Sequence, residues 1–346
     1  MKMNHQPRLL EKIRVRFCSF PRLLCVTVLA FSFLLSSLVT SSQAVWIWDP
    51  KTGNWYNPKY AVKGSSKAQF QHAESFEKKG DWERAAKEYK KLVKAYPTSS
   101  WATMALVREA ENYQKAGFYY EAYQADQLLI EKYPSYPDIE KIVEEEYKIG
   151  SLFLSGKKRK LKLIKLALFP SMDIAIEIFK KVVENFPFGN LADQAQFGIG
   201  RAYEKQKKYP EAMEAYKTLL KNHNKSSLRD EAKYRMGLCA YKQSRGASYD
   251  QAATDKALEL FKEFLREYPE SRRTEEVKAK IQELNTRKAQ GLLQIAAYYN
   301  KVGDKKSAKV YYQQLLETFP DMEEGKTAKK RIEALGAKES PSPEIS

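Results

Sequence analysis

The sequence predicts an all-α protein, a right-handed superhelical solenoid of about six helix-turn-helix repeats. Three observations predict it. First, "GDWERAAKEYKKLVKAYP" (80–97) is echoed by "GFYYEAYQADQLLIEKYP" (117–134) and "GDKKSAKVYYQQLLETFP" (303–320) with unchanged spacing from Gly to Pro, and self-similarity of this kind marks stacked repeats. Second, residue types return at helical offsets inside the cassettes: Ala85, Ala122 and Ala308, then Tyr89, Asp126 and Tyr312, then Leu92, Leu129 and Leu315. Third, each cassette follows a helix-patterned stretch carrying an alanine (Ala73, Ala110, Ala296) three residues before an aromatic (Phe76, Tyr113, Tyr299). Small residues on both helices let them approach closely, rings and leucines fill the remaining volume, and Pro ends the second helix.

Taken in order, the chain opens with an export signal over 1–44. Basic residues run to Arg22, an apolar stretch spans Leu23 to Val39, and Ser42 and Ala44 stand as the small residues of a cleavage site, so the mature chain is expected to start at Val45. The rival reading is an uncleaved anchor, against which Ser32, Ser36 and Ser37 dilute the apolar run below the roughly 20 residues a spanning helix needs. Cys18 and Cys25 lie inside this segment and neither is preceded by the small residue a lipoprotein signal requires. Only Cys239 is left in the mature part, which excludes an internal disulfide there.

Residues 45–64 form a Trp-rich segment. "VWIWDPKTGNWYNPK" places Trp46, Ile47 and Trp48 before an Asp-Pro-Lys-Thr-Gly turn and Trp55 and Tyr56 after it, the pattern of a short hairpin. An isolated hairpin is marginal, so this one is expected either to cap the first helix pair or to meet a membrane interface or partner through Trp46, Trp48 and Trp55. The solenoid is expected over 65–335. Beyond the three clear cassettes, repeat columns recur at Gly200, Tyr203, Ala212, Tyr216 and Leu219, and again in "AIEIFKKVVENFP" and "ALELFKEFLREYP". Insertions at 155–172 and 243–255 are expected to interrupt repeats three and five. Residues 336–346 read as a disordered tail, with fraying expected from about Glu333.

The residue inventory argues against catalysis. The three histidines, His5, His72 and His223, are far apart, no phosphate-binding or dinucleotide glycine motif and no nucleophile elbow is present, and no metal cluster or cofactor is expected. "VEEEY" (143–147) reads as a solvated helix face and Cys239 as a small core residue. The 346-residue chain carries a net charge of +17, yet its lysines are interspersed with glutamates and follow an export signal, so nucleic acid is not an expected partner. In "GKKRKLKLIKLALF" (156–169), Lys157, Lys158, Arg159 and Lys160 adjoin a leucine-rich run. They are either a basic element for anionic headgroups or an acidic partner, or an inter-helix connection whose cations point outward.

The small-aromatic-Ala-aromatic-Pro columns resemble the tetratricopeptide repeat, although the consensus tryptophan of the first helix is replaced at Gln69, Leu106 and Gln196. In that family the first helix lines a peptide groove, which implies Phe70, Glu74 and Lys78 of repeat one and Val107, Glu111 and Lys115 of repeat two as ligand-facing positions. The order of features is similar to the BamD, ComL or YfiO-like family: an export signal, "AESFEKKGDWERAAKEYKKLVKAYPTS" near the start, an inserted third repeat, and "AAYYNKVGDKKSAKVYYQQLLETFPD" near the end. The resemblance spans about Lys67 to Pro320. It implies a non-enzymatic component of the machinery that assembles β-barrel proteins, at the periplasmic face of the outer membrane. The N-terminal repeats would capture unfolded outer-membrane protein segments and the C-terminal repeats would dock on the barrel-inserting subunit, the chain acting as a monomer within a hetero-complex. The absence of a lipidation cysteine and a sixth repeat depart from the family pattern. The alternative is a periplasmic repeat adaptor coordinating cell division or peptidoglycan synthesis.

Overall fold

The computed structural model describes residues 46–50, 53–57, 61–160, 171–244 and 251–337. The expected signal at 1–44, residues 161–170 and 245–250 of the two insertions, and residues 338–346 lie outside the described residues. The chain divides into two compact units, one ending at Ala61 and one beginning at Val62.

In the first unit, β1 (Ile47–Asp49) and β2 (Asn54–Tyr56) pair antiparallel, with Trp48 opposite Trp55. Gly53 takes a φ of +67°, the left-handed conformation a tight hairpin needs at its last turn residue. The Trp48 and Trp55 rings meet edge to face at 5.6 Å, while Trp46, Trp48 and Trp55 all remain exposed.

The second unit is an all-α repeat solenoid. Its six helix pairs are α1 (Ser66–Glu77) with α2 (Trp82–Ala95), α3 (Ser100–Lys115) with α4 (Tyr119–Lys132), α5 (Ile139–Leu154) with α6 (Ser171–Asn185), α7 (Ala192–Lys205) with α8 (Tyr209–Asn222), α9 (Arg229–Ser244) with α10 (Gln251–Glu267), and α11 (Thr274–Lys301) with α12 (Lys305–Thr318). A last helix, α13 (Glu323–Ala337), packs on α12. Each helix packs on the next, most sparsely at α4–α5 and α10–α11.

The repeat columns account for this geometry. Ala73 and Ala85, Ala110 and Ala122, and Ala296 and Ala308 are buried between the helices of their pairs, with Tyr89, Tyr113, Tyr216 and Tyr312 among the largest buried side chains. The third, fourth and fifth pairs carry Gly instead of Ala in the first-helix column, and the reason is a ring. A Cβ on Gly150 would stand 2.8 Å from Phe179, one on Gly200 2.4 Å from Tyr216, and one on Gly237 2.6 Å from Phe261. The turn inside each uninterrupted pair passes through a left-handed residue: Gly80, Gly117, Lys207 and Gly303. Lys207, at φ +61°, is the described non-glycine residue that takes this conformation. Side-chain caps close several helices, Ser65 accepting from the Ala68 amide, Asp81 from Arg84 and Asp304 from Ser307.

Three features differ from the sequence reading. The second insertion is shorter than expected, since 243–244 complete α9 and α10 is already formed at 251–255. The sixth pair does not begin at a fresh helix. The single 28-residue α11 sets Val277 and Leu284 into the core shared with α10 and Ala289, Leu292 and Ala296 into a separate core with α12 and α13. Finally, helix continues to Ala337 and buries Leu335, so the fraying expected from Glu333 is not found there.

Candidate functional site

The first helices α1 and α3 carry the residues that the repeat resemblance nominates for a groove, and the chemistry of these helices and of α7 and α9 is dominated by ion pairs between repeats. Glu77, near the end of α1, accepts from the Tyr89 hydroxyl at 2.9 Å and lies 3.5 Å from Arg108 and 3.7 Å from Lys115 of the next pair. Glu204 repeats the arrangement between the fourth and fifth pairs, with Tyr216 at 2.7 Å, Arg235 at 3.1 Å and Lys242 at 3.3 Å. Burial, with the neighbouring carboxylate, pushes both tyrosine hydroxyls above their ordinary range. Each carboxylate thus ties three groups on two repeats. The spacing of tyrosine at 12, arginine at 31 and lysine at 38 residues is the same in both sets. Sequence reading missed these staples, although that shared spacing was present in it.

The staples continue toward the C-terminus. Burial would raise the Glu231 carboxyl, but Arg273, Arg235 and Arg272 outweigh it and hold the group below its usual range. Glu276 accepts from Tyr234 at 2.6 Å and pairs with Arg273, and Glu283 takes Tyr241, Lys280 and Arg287. Much of the basic surface of these first helices is therefore already neutralised from within.

Against this frame the nominated groove residues separate. Phe70 is buried, its ring 5.1 Å from Tyr89 and 4.8 Å from Trp101, and belongs to the core between the first two pairs. Val107 is half-buried against the same core. Glu74 and Lys78 pair with each other at 3.1 Å on the surface, and Glu111 pairs with Arg108 at 3.1 Å. Lys115 faces Glu77 and lies 4.7 Å from the Trp82 ring. Met104, which sequence reading did not nominate, is the exposed apolar side chain of α3.

The basic run after α5 folds back on the second pair. Arg159 stacks 3.9 Å over Tyr120 and bonds Glu121 at 3.3 Å, Lys160 donates to the Ala116 carbonyl at 3.3 Å, and Lys157 lies 5.2 Å from the Tyr119 ring. Lys158 is exposed. Three of these four cations thus serve as an internal strap between repeats; the leucines that follow fall outside the described residues.

"VEEEY" corrects its reading as a wholly solvated face. Glu144 is exposed, but Glu146 is 0 % exposed because it shares a helical face with Ile142, Ile149 and Phe153. Its Oε1 accepts from Gln127 at 2.6 Å and its Oε2 has no partner. Burial pushes its carboxyl up to about 8. Asp126, buried nearby at the column other repeats fill with tyrosine or phenylalanine, is held well above the usual carboxylate range by burial and then by Glu146, Glu145, Glu109 and Glu111. Cys239 is buried and its thiol is pushed up to about 12 by that burial, the state of an inert core residue. Among the described residues no group of three or more His, Cys, Asp or Glu could hold a metal ion, and no helix is long and apolar enough to cross a membrane.

Fold and site together define a tetratricopeptide-type helical-repeat protein, a class that works as a protein-interaction scaffold. Residues 67–99 match the tetratricopeptide repeat model, and residues 170–338 match the model of the YfiO family, described as outer membrane lipoprotein. No curated protein sequence matches the chain. Similar solved structures include MamA protein, 18 % identical with a TM-score of 0.31, covering 59 % of this chain and 92 % of that one. A tetratricopeptide repeat protein from Parabacteroides merdae is 12 % identical with a TM-score of 0.32, covering 78 % and 98 %. The C-terminal part of a repeat-containing protein from Cytophaga hutchinsonii is 14 % identical with a TM-score of 0.32, covering 77 % and 88 %.

Proposed function

We propose that this protein is a non-catalytic component of the outer-membrane β-barrel assembly machinery. It captures unfolded barrel segments through the first helices of its N-terminal pairs and docks on the barrel-inserting subunit through its C-terminal pairs. The observation that carries the reading is the match of residues 170–338 to an outer membrane lipoprotein family. Two surfaces support it. The last pair leaves Tyr298, Val302 and Val310 exposed, a larger apolar display than a free solenoid end requires. The hairpin leaves three tryptophans exposed, residues whose apolar body and polar N–H suit a membrane interface or a partner at the periplasmic face.

The mode of capture follows from the ion pairs on the first helices. With Glu77 and Glu204 already neutralised, an incoming segment meets a mixed surface around Met104, Val107, Glu74 and Glu111. Affinity then comes from exchanging surface salt bridges and covering apolar side chains, which suits transient handover better than tight storage. The test is affinity purification from detergent-solubilised envelope membranes. Recovery with the barrel-inserting subunit is the expected result. Recovery with wall-synthesising enzymes instead would overturn it in favour of an envelope-division adaptor.

A further inference from the structure

A second site shares no residue with those nominated on α1 and α3: α5, the first helix of the third pair, with the end of α6 and the turn at 186–191, encloses a cleft of about 180 Å³. Its floor is apolar, from Val143, Val182 and Phe186, and its rim carries Glu140 and Glu144, one helical turn apart on α5. Beside it stands Phe188, 96 % exposed. The turn that presents Phe188 is held by backbone bonds from the Gly189 amide to the Phe186 carbonyl and from the Ala192 amide to the Gly189 carbonyl, both 3.1 Å.

Comparison among this chain's own repeats indicates that the fold does not need an aromatic there. The residue after the helix-ending position is Thr98, Ser135, Lys225, Glu270 and Asp321 in the other turns, and Phe188 in this one. An apolar ring in a column of polar residues, left in water, is unfavourable unless something covers it. The two carboxylates tell the same story with charge. Neither Glu140 nor Glu144 has a salt bridge or hydrogen bond to a described residue, and the nearby Lys148 is committed to Glu145 at 2.7 Å. Like charges four residues apart on a helix repel by a few tenths of a kcal/mol, in a chain that is basic and pairs many of its other acids.

We infer that this cleft takes the side chain of a lysine or arginine from an extended segment of a partner protein, with an apolar neighbour of that residue laid against Phe188. The long stem of such a cation suits the apolar floor, its head reaches Glu140 and Glu144 at the rim, and the ring faces of Phe186 and Phe188 favour a cation above them. This site stands whether or not the first-helix groove binds barrel segments.

The test pans a random dodecapeptide phage library on the intact protein and measures the enriched peptides by fluorescence anisotropy. The expected consensus holds Lys or Arg beside Phe, Leu or Ile, and Phe188→Ser and the double variant Glu140→Gln/Glu144→Gln each weaken binding about tenfold, while Met104→Ser on the groove does not. All these positions are exposed and polar residues occupy the Phe188 column elsewhere, so unchanged far-UV circular dichroism is expected and is checked. Absence of enrichment, an acidic or purely apolar consensus, or peptides that lose affinity with Met104→Ser rather than Phe188→Ser would overturn the inference. The last of these outcomes would still support a peptide-binding groove.

Discussion

Replacing Glu146 with Gln isolates the electrostatics of the joint between the second and third pairs. The side chain keeps its shape and its amide oxygen can still accept from Gln127, so what changes is the ability to ionise. In the folded protein the carboxyl titrates at about 8 because burial raises it, opposed by the Gln127 hydrogen bond and by Lys181, against an ordinary 4.5 in the unfolded chain. Below about 4.5 the group is protonated in both states and stability is full. Between 4.5 and about 8 only the unfolded chain ionises, so unfolding becomes easier as pH rises, and above about 8 the loss is complete. At roughly 1.36 kcal/mol for each pH unit, the whole interval corresponds to about 5 kcal/mol, of which about 4 falls between pH 5 and pH 9. Local opening at the sparsely packed α4–α5 junction hydrates the carboxylate and lowers the observable effect toward about 2 kcal/mol. The assay is urea unfolding of wild type and Glu146→Gln at pH 5, 7 and 9, with hydrogen exchange of α4 and α5 amides as a local readout. The variant is expected to gain on wild type as pH rises. A difference that stays within about 0.5 kcal/mol across this range, or shrinks with pH, would refute the reasoning.

Other perturbations follow from the same packing. Gly200→Ala should destabilise by about 1–3 kcal/mol, because its methyl would stand 2.4 Å from the ring of Tyr216, which is itself fully buried; thermal unfolding reads it. Lys207→Gly should raise stability by up to about 1 kcal/mol by removing a side chain from a left-handed turn that Gly fills at the equivalent positions 80, 117 and 303; an unchanged or lower melting temperature would contradict this. Changing Trp46, Trp48 and Trp55 together to Ser should release the protein from the outer-membrane fraction without altering its helix content, and retention of the variant in that fraction would remove the hairpin from the attachment argument.

Much of the solenoid was legible because its causes are local and periodic. Ala85, Ala122 and Ala308 face a neighbouring helix for a steric reason that repeats, and the glycines at 80, 117 and 303 mark turns that need positive φ. The site was less legible, for reasons visible in particular residues. Phe70 falls in a groove column of the repeat consensus, but Trp101 of the next pair closes over it. Lys115 is a cation with a free appearance in sequence, yet Glu77 lies 38 residues upstream and across a repeat boundary. Glu146 hides in an acidic run whose neighbours are solvated, and its inward direction follows from helical phase with Ile142 and Ile149, a signal available but overridden by composition.

What the amino-acid sequence determined by itself was the repeat: helix pairs of set length, small residues where backbones meet, rings where volume must be filled, and turns at Gly and Pro. Those features depend on contacts within one repeat, where chain distance and spatial distance nearly coincide. What only the tertiary structure decided was how repeats meet: the carboxylate staples at Glu77 and Glu204, the strap of Lys157, Arg159 and Lys160 on the second pair, the long α11 joining two cores, and the cleft beside Phe188. Each depends on the angle and register between neighbouring units, and that relation is set by the sum of many side-chain packings rather than by any short stretch of chain.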